Sequence, residues 1–250
     1  MRIDDNFNKS DKSTIAQRLL EINNAIKNYQ AKLIAVSKTF PIESIEEAYN
    51  FGHRDFGESK VQELQEKSKY FIDKGISDIN WHFIGHIQSN KLKNLLQIPS
   101  LKFIHSIDSL SLLKKVNEYK NLIKEKELGI FLQVNTSAEK EKSGIESYSE
   151  LLNIAKIARD LLANSDSDSD FFGKTIKWIG LMTMGPIRTN DFLLDTEESF
   201  KKLFEYKTKL ENDLKITDLL LAMGMSQDYE LALKYRTNFV RIGSFIFGER

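Results

Sequence analysis

The feature that most constrains the fold of this chain is an alternation: eight short, mostly apolar runs, the first seven each followed by a stretch whose apolar residues recur at helical spacing. The runs are Leu33–Ser37, Asp55–Gly57, Trp81–Gly85, Lys102–Ser106, Ile130–Asn135, Ile176–Met182, Leu219–Gly224 and Phe239–Gly243. Runs with so few polar interruptions suit strands covered on both faces. Helical stretches run from Pro41 to Gly52, from Glu58 to about Lys74, and over 89–96, 109–126, 147–162, 195–214 and 227–234. Strands alternating with helices are parallel strands joined by helical crossovers. Eight such units in 250 residues predict an α/β fold of the closed (β/α)8 TIM-barrel type. An open doubly wound sheet is the rival, but no Gly-x-Gly-x-x-Gly follows the first strand. Ahead of that strand, Ile15, Leu19, Ile22 and Ile26 predict an extra N-terminal helix over 11–29, with Ser10 or Asp11 as its cap.

Nothing in the chain resembles an interdomain linker, so a single domain over 1–250 is expected. Residues 164–170 alternate serine with aspartate after Asn164 and read as an acidic flexible loop without a function of its own.

Composition narrows the chemistry. Lys and Arg number 36 against 36 Asp and Glu, so no overall field draws in nucleic acid or an anionic membrane. The absence of cysteine removes disulfides, thiolate metal sites and thiol nucleophiles. The four histidines, His53, His82, His86 and His105, lack metal-site spacing. The N-terminus is polar and acidic and no apolar run reaches membrane-spanning length, so a cytoplasmic protein is expected.

In a barrel the carboxyl ends of the strands share one rim, where active sites form. In strand order, the polar groups there are Lys38; Glu58 and Ser59; His86 and Gln88; His105 and Ser106; Asn135; Met182 and Thr183; Ser226; and Arg241, Gly243 and Ser244. Lys38 directly follows a strand expected to be buried, and a buried ammonium finds a partner, loses its proton or is consumed in a covalent bond. An amine of that kind forms Schiff bases with aldehydes. Gly224-Met225-Ser226-Gln227-Asp228 places a glycine and a hydroxyl at an expected helix start, and Arg241-Ile242-Gly243-Ser244 adds a second glycine turn after the neighbouring strand. Both suit a phosphate.

Each feature has an ordinary reading too. Lys38 alone is a surface cation, Gly-x-Ser an N-cap, Arg241 an ion-pair partner, His82 a packed histidine, and Met182, Met184, Met223 and Met225 packing residues. The combination favours chemistry: an aldehyde-trapping amine and a phosphate cradle on one rim fit a phosphorylated aldehyde such as pyridoxal 5′-phosphate (PLP).

The chain also resembles a known family, the pyridoxal phosphate homeostasis proteins. The resemblance rests on Ala35-Val36-Ser37-Lys38-Thr39, Phe56-Gly57-Glu58 with Val61-Gln62-Glu63, Trp81-His82-Phe83-Ile84-Gly85 with Gln88-Ser89-Asn90-Lys91, and Lys142-Ser143-Gly144. Gly180-Leu181-Met182, Gly224-Met225-Ser226 with Asp228, and Val240-Arg241-Ile242-Gly243 with Phe247-Gly248 complete it. It implies a barrel like the alanine racemase N-terminal domain, PLP as an aldimine on Lys38, phosphate contacts from Ser226, Gly243 and Ser244, and Arg241 facing the pyridine nitrogen. Met182 joins the implied cofactor lining. Ser59 stands where the family usually has asparagine, and the end at Arg250, short of a few extra residues, predicts reduced C-terminal cover of the site. The implied role is non-catalytic: a monomer that binds PLP and hands it to PLP-dependent apo-enzymes by transient contact. The alternative is a PLP-dependent, racemase-like enzyme, for which no second catalytic base is evident.

Overall fold

A computed structural model describes residues 14–137, 139, 141–163, 175–186, 189 and 191–249. The strands are β1 Lys32–Val36, β2 Asp55–Glu58, β3 Asn80–Phe83, β4 Leu101–Ile107, β5 Glu127–Gln133, β6 Thr175–Met182, β7 Leu220–Ala222 and β8 Phe239–Ile242. They pair in parallel in chain order, and β1 closes the barrel on β8 with Ile34 opposite Arg241. Around them lie α1 Ile15–Ile26, α2 Ile42–Asn50, α3 Val61–Asp73, α4 Leu92–Leu96, α5 Leu110–Glu118, α6 Tyr148–Ala163, α7 Phe192–Leu214, α8 Tyr229–Lys234 and α9 Ser244–Phe247. The expected barrel and its extra N-terminal helix are both present. The serine–aspartate stretch 164–170 lies outside the described residues.

Helix α1 buries the four apolar residues that predicted it. Its cap is Thr14, whose hydroxyl accepts from the Gln17 N–H at 3.2 Å while the Gln17 side chain accepts from the Thr14 N–H at 2.8 Å. Two otherwise unpaired donors are satisfied reciprocally. Ser10 and Asp11, the expected caps, lie outside the described residues. Thr14→Ala is expected to lower stability by about 1 kcal/mol, read from urea unfolding; an unchanged midpoint would show that the cap adds nothing.

The other boundary differences have local causes. Strand β5 starts at Glu127 rather than Ile130, because β6 supplies partners down to Thr175 and Lys177 meets Glu127 at 2.6 Å. The helix expected over 109–126 therefore stops at Glu118, with one 3-10 turn, Lys120–Leu122, before the strand. Helix α8 starts at Tyr229 rather than Gln227, since the Asp228 carboxylate folds back onto the Met225 N–H at 2.5 Å. Four residues after β8, too few to show a period, form α9.

Burial divides into two layers. The larger lies between barrel and helices, where Leu33, Ala35, Phe56, Trp81, Leu181 and Val240 meet the helical stripes. The smaller fills the barrel: Ile34, Phe131, Met182, Ala222 and Phe239, with Phe103, Ile179 and Leu220 against them. Above this plug the barrel opens.

Candidate functional site

The pleat of each strand decides which side chains reach the barrel axis. Ile34 of β1 belongs to the inner plug, and the residues two and four further on, Val36 and Lys38, line the cavity above it. The same period sends Phe239 of β8 inside and brings Arg241 and Gly243 to the cavity, while Met182 and Met184 come from β6 and the residues after it. The cavity measures about 630 Å³. Lys38, Ser59, Met182, Ser226, Arg241, Gly243 and Ser244 all line it.

On one side of the cavity the loops after β7 and β8 converge. The Ser244 hydroxyl donates to the Ser226 hydroxyl at 3.3 Å. Gly224 turns the chain out of β7 at φ +97°, and a Cβ there would lie 2.8 Å from that of Ala232, so only glycine fits. Ser226 thus stands in a turn ahead of Asp228, not at a helix start as the sequence suggested. Its hydroxyl is offered by the loop.

Arg241 is 5% exposed, and its guanidinium donates to the Ala222 carbonyl at 2.9 Å and to that of Thr183 at 2.8 Å. These hydrogen bonds go to carbonyls rather than to a carboxylate, and they fix the guanidinium plane at the cavity. Burial pushes its pKa down to about 10 against the opposing pull of Asp228, so the group stays charged at neutral pH. Asp228 is itself pushed up by burial, with the Met225 N–H and Arg241 pulling it back.

Lys38 is half-buried. Ser59, the residue just past the neighbouring strand β2, is held by close approach: a Cβ on Gly85 would fall 2.0 Å from the Ser59 carbonyl oxygen, which accounts for the glycine after β3. Glu58 does not reach the cavity. Fully buried, its Oε1 accepts from the Ser37 hydroxyl at 2.6 Å and from Lys67 Nζ at 2.8 Å. Burial raises its pKa, with Lys67 opposing.

Other rim residues turn out to be structural. The buried Ser106 donates to the Gly85 carbonyl at 2.6 Å, and the Asn135 amide donates to that of Glu139 at 2.9 Å. Thr183 donates to the Val134 carbonyl at 2.8 Å, while His86 is exposed beside Asp108. His105 lies inside the barrel on Phe131, ring centroids 4.4 Å apart, and touches His82, Nε2 to Nδ1, at 2.9 Å. His82 reaches Asp55 at 3.0 Å and stacks on Phe103, so it is the packed histidine of the ordinary reading. Burial lowers the pKa of both rings, which makes the Asp55 contact a hydrogen bond from a neutral imidazole rather than an ion pair.

The apolar wall went unnoticed in the sequence. Ile84, Pro186, Phe192 and Met225 complete it, drawn from the segments after β3, β6 and β7 with no shared period. Gly248 and Glu249 also reach the lining, so the segment after α9 supplies cover where little was expected. Among the described residues no group of three His, Asp or Glu side chains is placed to hold a metal ion, and no helix is long and apolar enough to cross a membrane.

Residues 10–250 match the family model described as the alanine racemase N-terminal domain. A Schizosaccharomyces pombe protein named pyridoxal phosphate homeostasis protein is 37% identical over 230 residues, covering 92% of this chain and 89% of its own. The chain belongs to the pyridoxal phosphate homeostasis protein family. Among solved relatives of this family's fold, PipY of Synechococcus elongatus with PLP bound superposes with a TM-score of 0.77 at 28% identity, covering 94% of this chain and all of its own. Alanine racemase of Clostridium difficile shares the fold alone, at 13% identity and a TM-score of 0.68; the family barrel spans 57% of that longer chain.

Proposed function

We propose that this chain binds PLP in the 630 Å³ cavity, holds it as a Schiff base on Lys38 and releases it to PLP-dependent apo-enzymes, without catalysis of its own. The observation that carries the proposal is the donor set of one cavity: a primary amine, a charged guanidinium and a pair of converging hydroxyls. An aldehyde bearing a phosphate matches it, and PLP is what the PipY relative binds. The phosphate would accept from Ser226 and Ser244 beside Gly243, and Arg241 would face the pyridine nitrogen. Ser59 and Met182 would wall the ring. A permanent cation at that nitrogen disfavours its protonation and weakens the ring as an electron sink, which suits a carrier better than an amino-acid enzyme.

Asp228, the cavity carboxylate that acts on Arg241, already accepts from the Met225 N–H, so it is a poor second base for a racemase-like reaction. α-Hydrogen exchange of amino acids in deuterated water, with PLP present, tests this: exchange at an enzymatic rate would overturn the carrier role. The protein is taken as a cytoplasmic monomer that meets apo-enzymes transiently, and sedimentation with and without an apo-enzyme addresses that part.

Ser226→Ala should weaken PLP binding by about 1 kcal/mol, or roughly fivefold, the net worth of one hydrogen bond. Titration by fluorescence or calorimetry checks it, and unchanged affinity would remove Ser226 from the phosphate site.

A further inference from the structure

Beneath Lys38 lies a buried ionic cluster that touches the cavity nowhere. Lys67 on α3 is 4% exposed, and its ammonium donates to Glu58 Oε1 at 2.8 Å, to Glu63 Oε1 at 2.7 Å and to the Ser37 carbonyl at 2.8 Å. All three of its N–H donors are used. Glu63 Oε1 also accepts from the Thr39 N–H at 2.5 Å, and Glu58 Oε1 from the Ser37 hydroxyl at 2.6 Å. The residues immediately before and after Lys38 are therefore gripped by the same three charged side chains.

What they grip is a strained turn. Thr39 has φ +68°, a left-handed conformation that a β-branched residue adopts only when its surroundings impose it. Its N–H is directed at Glu63, and its hydroxyl folds onto the Lys38 carbonyl at 2.5 Å. A buried ion cluster is a poor source of stability, since well-packed apolar side chains of similar volume commonly do as well or better. Glu58 Oε2 is left buried without a hydrogen-bond partner, which adds to the cost.

We propose that Glu58, Glu63 and Lys67 are positioning residues for Lys38: they fix the Ser37–Thr39 backbone so that the Lys38 amine is held against the aldehyde carbon. The inference rests on the PLP reading above. In the step concerned, the unprotonated amine adds to the carbonyl carbon, the carbonyl oxygen departs as water, and a C=N bond replaces C=O. Misplacing the amine by a fraction of an ångström slows that addition without disturbing the phosphate contacts across the cavity.

The test separates covalent from non-covalent binding in the full chain. PLP reports both, while pyridoxine 5′-phosphate, the corresponding alcohol, reports only the non-covalent part. Glu63→Ala and Lys67→Met are expected to bind pyridoxine 5′-phosphate within about twofold of wild type, yet to form the PLP absorption band about tenfold or more slowly. Glu63→Gln, whose amide oxygen still accepts from Thr39, should recover most of the rate. Should Lys67→Met fail to fold, Glu63→Ala and Glu63→Gln decide, because Glu63 sits at the partly exposed edge of the cluster. Wild-type band formation in folded Glu63→Ala would overturn the positioning role. A band that persists in Lys38→Ala would instead overturn the PLP reading on which it rests.

Discussion

Replacing Lys38 by alanine is expected to abolish the covalent link to PLP while leaving a weaker, phosphate-anchored complex. The amine is the one aldehyde-reactive side chain among the described residues lining the cavity. Ser226, Ser244 and Arg241 come from β7, β8 and the loops after them, and none contacts Lys38 in the hydrogen bonds that hold it. Their geometry should therefore survive the substitution. The wild-type protein should show an aldimine absorption band that borohydride fixes on the peptide containing Lys38. The variant should show neither, and its affinity should fall by about tenfold or more, equivalent to about 1.4 kcal/mol. Bound ligand raises stability by mass action, so the thermal shift on adding PLP should shrink in proportion. A borohydride-fixed adduct on a different peptide, or equal affinity of variant and wild type, would refute the assignment.

The second large effect is on stability as pH falls from 7 to 5. His82 and His105 are fully buried, and their pKa values are lowered in the fold, chiefly by desolvation; His53 is lowered too, burial again leading. In the unfolded chain each titrates near 6.5. Below that pH the unfolded state binds protons that the folded state refuses, so unfolding is favoured as pH drops. Each such histidine contributes at most about 1.4 kcal/mol per pH unit. Glu58 works in the opposite sense: raised in the fold by burial, its carboxyl costs stability above its unfolded pKa and ceases to do so only in more acidic solution. Asp228, also raised by burial, acts in the same sense as Glu58, so three lowered histidines are set against two raised carboxyls between pH 7 and 5. Urea unfolding at pH 7, 6 and 5 should show a steady loss of stability, and His105→Leu should flatten the slope by about one proton, whatever it does to the absolute value. A flat or rising profile for the wild type would show that these rings take up protons without unfolding.

Much of the molecule was legible from local pattern. Continuous apolar runs identified the barrel strands because parallel strands are covered on both sides, and the residue just past each run fell on the rim because that is where a strand ends. Lys38, Ser226, Arg241 and Gly243 were found in that way, without any knowledge of contacts. The residues that escaped have reasons of their own. Lys67 occupies the buried stripe of α3 between Leu64 and Phe71, four residues after Glu63; a lysine in an apolar stripe with that spacing was a signal that could have been followed. Phe192, Pro186 and Ile84 carried no signal, because a cavity wall assembled from separate loops has no period in the chain.

By itself the sequence determined the barrel, the order of its strands and the ring of polar residues at their ends, because each follows from residue spacing within a single segment. Which of those residues share a cavity was decided only by closure of β1 onto β8 and by strand parity, which carried Lys38, Met182 and Arg241 to the axis and turned Glu58 away from it. Tertiary structure alone set the environment of Lys38: a turn clamped by Lys67 and Glu63, whose partners lie 24 to 30 residues away along the chain. The stripe of α3 marks a buried lysine, but which groups surround it in space, and so which residues it clamps, is set only by the fold.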